Sequence, residues 1–432
     1  MFEAKPPAPA AKPVVTPETP FPQAWELLTK QPNVSDANEI GTRLASLILL
    51  HAIKVKASDI HFDPHGINMQ VRLRIDGQLV DLVAYERERF PITSRLRVLA
   101  NFSPKAASVY TPEDGRFDIS TPEGKVVQFR ASAFPVSQGD KLVLRVLNMG
   151  LEVERFEDLG FEPAVREQLD RAIRSPSGIF FLSGLTGSGK STTLCSILRA
   201  LSRPEVNVMT LEDPVEYELP RVNHSQINPK AGFSFADGLR SILRQDPNII
   251  MVGEVRDLET AEIAMRAALT GHLIFTTIHA TTAVGVVHRL ISMGIEPYMI
   301  TASLIGSLAQ RLVRKVCAGC VEPQPVESQA FERLLKPVEA ENRATIEAAA
   351  KAGGFKKGRG CQACRNTGYK GRIGVFELLI MDDLMRGLVS SKADPGELKQ
   401  AASKAGVRSL LTDALLKAAR GLTTLDEVVR VV

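Results

Sequence analysis

The sequence predicts an α/β fold built on a mostly parallel sheet, with a smaller α+β domain in front of it. From residue 161 onward, short apolar strands alternate with helices, a pattern typical of a parallel sheet covered on both faces. Between residues 58 and 148, strands flank a single helix instead, which indicates a separate α+β domain. The run GLTGSGKS at 184–191 stands between a strand and a helix, the context of a phosphate-binding loop.

The composition excludes several classes of protein. The chain has 432 residues, of which 44% are hydrophobic and 24% charged, so it can form two or three domains. A net charge of only +4 argues against a broad nucleic-acid surface, and we expect no stable nucleic-acid partner. No apolar run reaches the roughly 18 residues of a membrane span, and no signal peptide is recognisable. We therefore expect a cytoplasmic protein that meets a membrane only peripherally.

Composition and spacing predict four segments. Residues 1–34 are expected to be a disordered leader because prolines crowd their first part. Residues 35–148 form the predicted α+β domain. Residues 149–160 are predicted to be a hinge linker. Residues 161–432 form the predicted α/β domain.

The apolar residues of the first domain change their spacing near Ser58. Before it, apolar residues from Ile40 to Ile48 recur at helical spacing. After it, two strands flank Asp76 and Gly77, a strong hairpin signal.

The second domain continues the alternation of strands and helices to its end. Apolar runs predict strands at 179–182, 206–211, 249–252 and 273–278. Two more helices are predicted to run to about Leu312, and short helices to fill the last part of the chain. Between them, a cysteine-containing insert over 313–372 has an Ala/Glu/Lys-rich helical middle.

The loop at 184–191 carries the most specific chemistry. Glycines let the backbone wrap an anion without a Cβ in the way, and successive N–H groups can face phosphates. Lys190 supplies a charge near the β- and γ-phosphates, and the Ser191 hydroxyl suits Mg²⁺. We expect ATP to be bound by Gly184, Leu185, Thr186, Gly187, Ser188, Gly189, Lys190, Ser191 and Thr192.

Two acids follow strands that end at the same edge of a parallel sheet. Glu254 comes shortly after the strand 249–252, as in a Walker B motif, and its length favours water-mediated contact with Mg²⁺. Glu212 begins the run EDPVE and can take the proton of an attacking water or orient that water. We assign Glu212 as base and Glu254 as metal organiser, with roles that can be exchanged. A helix cap or a solvated turn is the alternative for either acid taken alone.

Three basic residues, His272, Arg116 and Arg130, complete the candidate catalytic set. His272 and His279 bracket the strand 273–278 and could sense a γ-phosphate, the alternative being a histidine satisfied in the interior. Arg116 and Arg130 belong to the first domain. An arginine supplied to a γ-phosphate can accelerate hydrolysis by about 10³–10⁵, while surface ion pairing is the alternative for each.

The cysteines predict a metal centre. Cys317, Cys320, Cys361 and Cys364 form two CxxC pairs within the insert. Two such pairs make a closed tetrahedral thiolate site for a structural Zn²⁺, and four unligated thiols are the alternative. Cys195 is expected to pack in the core.

Together these motifs resemble the type II secretion and type IV pilus assembly ATPases of the secretion-ATPase superfamily. The likeness covers about 35–432 and includes SDIHFDP at 58–64, TLEDPVEY at 210–217 and LTGHLIFTTIHA at 269–280. It implies a PAS-like first domain and a RecA-like second domain. The family's Asp box then falls on Glu212, Asp213 and Glu216, its Walker B box on Glu254, its His box on His272 and His279, and its arginines on Arg116 and Arg130.

The resemblance also implies a function. We expect a homohexameric ring that hydrolyses ATP, closes its domains across the hinge and drives pilus or pseudopilus assembly through an inner-membrane platform protein. The paired cysteines match the zinc insert of the assembly branch, which retraction ATPases lack. The alternatives are a DNA-uptake or retraction motor of the same superfamily, and a nucleotide-gated scaffold with little turnover.

Overall fold

The structure, a computed structural model, describes residues 19–30, 37–103, 111–147, 155–326 and 328–432. The chain divides into two compact units, Met1–Leu151 and Glu152–Val432, and this division falls inside the predicted hinge. Residues 1–18 and 31–34 of the predicted leader and 149–154 of the hinge lie outside the described residues. Within the described ranges, no helix is both long and apolar enough to cross a membrane.

The first unit is an antiparallel sheet that shares one core with its helices. Its six strands are β1 (Asp59–His65), β2 (Asn68–Ile75), β3 (Gln78–Glu86), β4 (Glu113–Ser120), β5 (Val126–Val136) and β6 (Gly139–Leu147), in the order β3-β2-β1-β6-β5-β4. Its described helices are α1 (Phe21–Thr29), α2 (Ala37–Lys54) and α3 (Ile92–Leu99). The predicted hairpin is confirmed, since Ile75 pairs with Gln78 and Asp76 and Gly77 have φ angles of 50° and 85°.

Order in the first unit begins earlier than predicted. Residues up to 34 were expected to be disordered, and this is wrong for α1, whose Phe21 and Leu28 lie in the core of the unit. The Trp25 ring lies 6.0 Å from that of Tyr85. Pro22 lies in the first turn of α1, where a proline is compatible with a helix. This proline therefore marks the start of a helix.

The second unit is built on a seven-stranded sheet, which confirms the predicted fold class. Its strands are β7 (Gly178–Ser183), β8 (Val208–Glu212), β9 (Val222–Gln226), β10 (Ile249–Val252), β11 (Leu273–Ile278), β12 (Leu304–Val316) and β15 (Tyr369–Ile380), in the order β15-β12-β7-β11-β10-β8-β9. All neighbours are parallel except β12 and β15. The helices of this part are α4 (Pro163–Ile173), α5 (Lys190–Leu201), α6 (Phe235–Ile242), α7 (Leu258–Leu269), α8 (Ala283–Ser292) and α9 (Pro297–Ser303).

One expectation about this sheet is wrong. Helices were predicted to run to about Leu312, but α9 ends at Ser303 and β12 begins at Leu304. A strand inside a parallel sheet is buried on both faces, so its sequence does not alternate. Its apolar pairs, among them Leu308 with Ala309, therefore imitate helical spacing.

The insert and the chain end follow the predicted pattern. Two short strands, β13 (Val321–Pro323) and β14 (Lys356–Gly358), pair across a helical middle formed by α10 (Ser328–Leu335) and α11 (Ala340–Lys351). The last helices are α12 (Asp383–Ser390), α13 (Pro395–Lys404), α14 (Leu410–Ala419) and α15 (Leu425–Val431).

Candidate functional site

The loop between β7 and α5 has the backbone of an anion cradle. Gly184, Gly187 and Gly189 have φ angles of 148°, 76° and 90°, which L residues rarely adopt. A Cβ at Gly184 would lie 2.4 Å from the carbonyl oxygen of Gln310, and one at Gly189 would lie 2.8 Å from its Nε2. The backbone contact excludes a side chain at Gly184, and the positive φ angle disfavours one at Gly189. Ser191 falls in the first turn of the helix that follows.

The polar groups of the loop fit a phosphate ligand with Mg²⁺. The buried Ser188 Oγ has no hydrogen-bond partner within the described residues. Lys190 Nζ donates to the carbonyl oxygens of Gly184 at 2.8 Å and Leu185 at 3.2 Å. Burial lowers the pKa of Lys190, and the negative charges of Glu254 and Glu216 oppose that shift. A strained glycine loop, an unsatisfied hydroxyl and an ammonium near acids are what a nucleoside triphosphate requires.

Glu254 is held at this edge by hydrogen bonds to the strands on both sides. The N–H of Gly253 donates to Leu211 O at 2.7 Å, and the N–H of Val255 donates to Thr277 O at 2.9 Å. The Glu254 side chain is 20% exposed, and its Oε2 lies 3.7 Å from His279 Nε2. Its other oxygen accepts from Arg256. The carboxylate is thus both fixed and open to solvent.

Glu212 ends β8 at the same edge, but its carboxylate is buried. Its Oε1 accepts hydrogen bonds from Thr210 Oγ1 and His224 Nδ1, both at 2.7 Å. Burial raises the pKa of the Cys195 thiol on α5, and the charges of Glu212 and Glu216 act in the same direction. Glu212 and Glu216 therefore lie near α5, the helix that follows the phosphate loop. The partner His224 was missed, because it becomes visible only once Thr210 is paired with it across β8 and β9.

The structure separates the two predicted histidines. His279 follows β11 at the end where the phosphate loop lies, whereas His272 precedes that strand. A six-residue strand spans about 20 Å, so His272 is not brought to Glu212 and Glu254 within this unit. Its Nδ1 lies 3.0 Å from Ala267 O instead. Only the carboxyl ends of parallel strands face the ligand edge, which is why one histidine joins the site and the other does not.

The predicted arginines lie in the first unit and face each other. Arg116 pairs with Arg130 across β4 and β5, and Arg130 pairs with Arg145 across β5 and β6. All three residues are exposed. The three residues form an arginine row along the sheet. Within the unit, Arg145 Nε donates to Asp59 Oδ1 at 3.0 Å, and Arg130 lies 3.9 Å from Asp114 Oδ1. Arg145 was missed, since it too depends on strand register.

The four cysteines of the insert form a cluster. Their Sγ atoms all lie within 4.8 Å of one another, and the Cys317–Cys361, Cys320–Cys364 and Cys361–Cys364 separations are 3.9, 3.8 and 3.7 Å. Zn–S bonds of about 2.3 Å in a tetrahedron place sulfurs about 3.8 Å apart. Burial opposes ionisation of Cys364, but backbone N–H groups of Cys361 and Gly368 lower its pKa to about 6. The cluster is compatible with zinc.

Comparison with known proteins places the chain in a family. Residues 34–430 match the family described as type II/IV secretion system protein. The type IV pilus assembly ATPase PilB of Thermus thermophilus is 43% identical over 384 residues, which are 88% of this chain and 42% of that protein. The type II secretion system ATPase E of Vibrio cholerae is 40% identical over 415 residues, which are 95% of this chain and 78% of that protein.

Solved structures agree with the fold. The pilus retraction motor PilT, crystallised with bound ADP, superposes with a TM-score of 0.60 at 26% identity, over 89% of this chain and 95% of that one. The Legionella pneumophila ATPase DotB gives a TM-score of 0.66 at 22% identity, over 90% of this chain and 95% of that one. The chain belongs to the type II/IV secretion system protein family and is an ATPase of that family.

Proposed function

We propose that this chain is the cytoplasmic motor that powers assembly of a type IV pilus or a type II secretion pseudopilus. The observation that carries the proposal is the meeting of the phosphate loop, Glu212 and Glu254 at one edge of the sheet. Relatives about 40% identical are named for pilus assembly or for type II secretion.

In this proposal the phosphate loop binds ATP, and Lys190 would leave the carbonyl oxygens of Gly184 and Leu185 to reach the β- and γ-phosphates. The Ser191 hydroxyl would hold Mg²⁺, which would neutralise charge on the phosphate oxygens. Glu254 is favoured as the base that orients and deprotonates the attacking water. Its carboxylate is partly exposed and lies on the side of Lys190.

Glu212 takes the organising role, which exchanges the two roles expected from the sequence. Its Oε1 is already occupied by two donors, and within the described residues its Oε2 has no protein partner. A buried carboxylate with one free oxygen suits a fixed contact with the hydration shell of Mg²⁺ better than repeated proton transfer. Glu254, which follows the neighbouring strand β10, would contact the same hydration shell.

The arginine row of Arg116, Arg130 and Arg145 is proposed to supply charge to the γ-phosphate in a homohexamer. The three arginines are exposed and lie on adjacent strands, and a guanidinium group can bind phosphate oxygens through two hydrogen bonds at once. Hydrolysis would remove the phosphate that holds this row and so release the closed state, which couples chemistry to movement. A ring at the cytoplasmic face of the inner membrane would pass that movement to a platform protein.

The decisive experiment compares matched acid variants. Purified full-length chain carrying Glu254→Gln should lose turnover of Mg-ATP by at least about 10²-fold, since a general base contributes about 10²–10⁴. Binding of a fluorescent ADP analogue should stay within about twofold. Glu259→Gln, an exposed acid on α7, is the control. Wild-type turnover in Glu254→Gln would refute the assignment.

A further inference from the structure

His224 forms a connected set of hydrogen bonds beside the proposed site. The backbone N–H of Leu219 donates to His224 Nε2 at 3.0 Å. On the other side of the ring, Nδ1 lies 2.7 Å from Glu212 Oε1 and 3.0 Å from Thr210 Oγ1. The side chain is 9% exposed, so water has little access to these bonds.

These contacts determine the tautomer of the ring. A backbone N–H can only donate, so Nε2 must accept and carries no proton. The proton of the neutral imidazole then resides on Nδ1, where it points to the Glu212 carboxylate. Thr210 donates to the same oxygen, and this leaves Oε2 as the carboxylate's available oxygen.

The position of His224 in the fold explains why it can orient Glu212. Thr210 and Glu212 are two residues apart on β8 and therefore lie on the same face of the sheet. His224 on β9 stands directly opposite Thr210 in register. The Leu219 bond ties the ring to the segment between β8 and β9, which also carries Glu216. A single side chain therefore fixes a strand end and the loop that leaves it.

We propose that His224 is a positioning residue for ATP hydrolysis, which holds Glu212 through its Nδ1–H so that Oε2 faces the nucleotide. The proposal rests on the function proposed above for Glu212. Displacing a catalytic group by about 1 Å can cost about 10²-fold in rate, so this one bond can control turnover without touching substrate.

The test is a double-mutant cycle on the full-length chain. His224→Leu removes both ring bonds and should lower kcat at least about tenfold. It should leave KM and fluorescent-ADP affinity within about twofold. In a Glu212→Gln background the same substitution should have no further effect, because its action passes through Glu212. Multiplicative losses in the double variant would overturn the proposal.

Two further variants separate positioning from packing. An Asn side chain places its amide where Nδ1 lies, so His224→Asn should retain at least about a third of wild-type kcat. A Gln side chain places its amide where Nε2 lies instead, so His224→Gln should lose as much kcat as His224→Leu. Equal losses in all three variants would mean that ring shape matters and not the donor, which would refute the proposal. This comparison decides the matter even if His224→Leu fails to fold.

Asn223→Ala serves as the matched control, since Asn223 is the neighbour of His224 on β9 and its side chain lies on the other face. It should keep wild-type kcat.

Failure of this inference is distinguishable from failure of the proposed function. Wild-type kcat in Glu212→Gln overturns the role of His224 even when Glu254→Gln is inactive. Wild-type turnover in Glu254→Gln, with the cycle behaving as expected, overturns only the assignment of the base.

Discussion

At the level of single residues, the sequence was informative where chemistry is carried by neighbours in the chain. The glycines and Lys190 of the phosphate loop could be predicted because strand, loop and helix are consecutive. Residues that act across strands could not be predicted. His224 and Gln310 depend on which strands pair and in which register, and a single sequence contains no such information.

Lys190 provides the sharpest residue-level prediction. Lys190→Ala should weaken binding of a fluorescent ATP analogue at least about tenfold, because the ammonium is the mobile positive charge of the loop. Its present partners are backbone carbonyls, so the melting temperature should change little. Titration of the analogue beside a thermal scan measures both, and wild-type affinity would contradict the role given to this lysine.

At the level of elements, β12 was predicted from the sequence as a helix, and it shows why some strands cannot be recognised in a single sequence. Burial on both faces removes alternation, so a central strand and a buried helix look alike. The same strand positions two sites. Gln310 contacts the phosphate loop and accepts a hydrogen bond from Thr193 at 2.8 Å, and Cys317 follows the strand's end. β12 thus connects the proposed zinc centre to the edge of the sheet where the phosphate loop lies.

The cysteine cluster predicts a bound metal. Purified chain should contain about one zinc per polypeptide, and Cys361→Ser with Cys364→Ser should lose it and unfold at lower temperature. Elemental analysis and a thermal scan are the measurements. Cys195→Ala, outside the cluster, should keep full zinc content. Zinc far below one equivalent in the unmodified chain would refute the metal centre.

Glu427 on the last helix, α15, should make the stability of the fold depend on pH. Burial opposes ionisation of Glu427, but hydrogen bonds from Arg430 and Arg314 outweigh it and lower its pKa to about 2. A carboxyl with a lowered folded pKa stabilises the fold above its unfolded value, and this stabilisation is lost as the pH falls toward the folded one.

Glu427→Gln should therefore cost about 2 kcal/mol at pH 7, after allowance for solvent screening. The difference should shrink between about pH 5 and pH 2. Urea unfolding of both chains across this range measures it. A difference that does not change with pH would contradict the ionic role of Glu427.

At the level of the whole molecule, the sequence predicts two units and their fold classes because strands that flank one helix give way, beyond residue 160, to alternating strands and helices. It also placed the acids and the arginines in different units. The proposed motor needs guanidinium groups of the first unit and carboxylates of the second to act on one γ-phosphate. This joint action is the central claim.

The most direct measurement of that claim is the kcat of the full-length chain with Arg116→Ala and Arg130→Ala, at saturating Mg-ATP. The account predicts a fall of about 10³-fold or more with nucleotide still bound. The control Arg95→Ala, an exposed arginine on α3, should be indistinguishable from wild type. A double variant that turns over ATP at the wild-type rate would contradict the account.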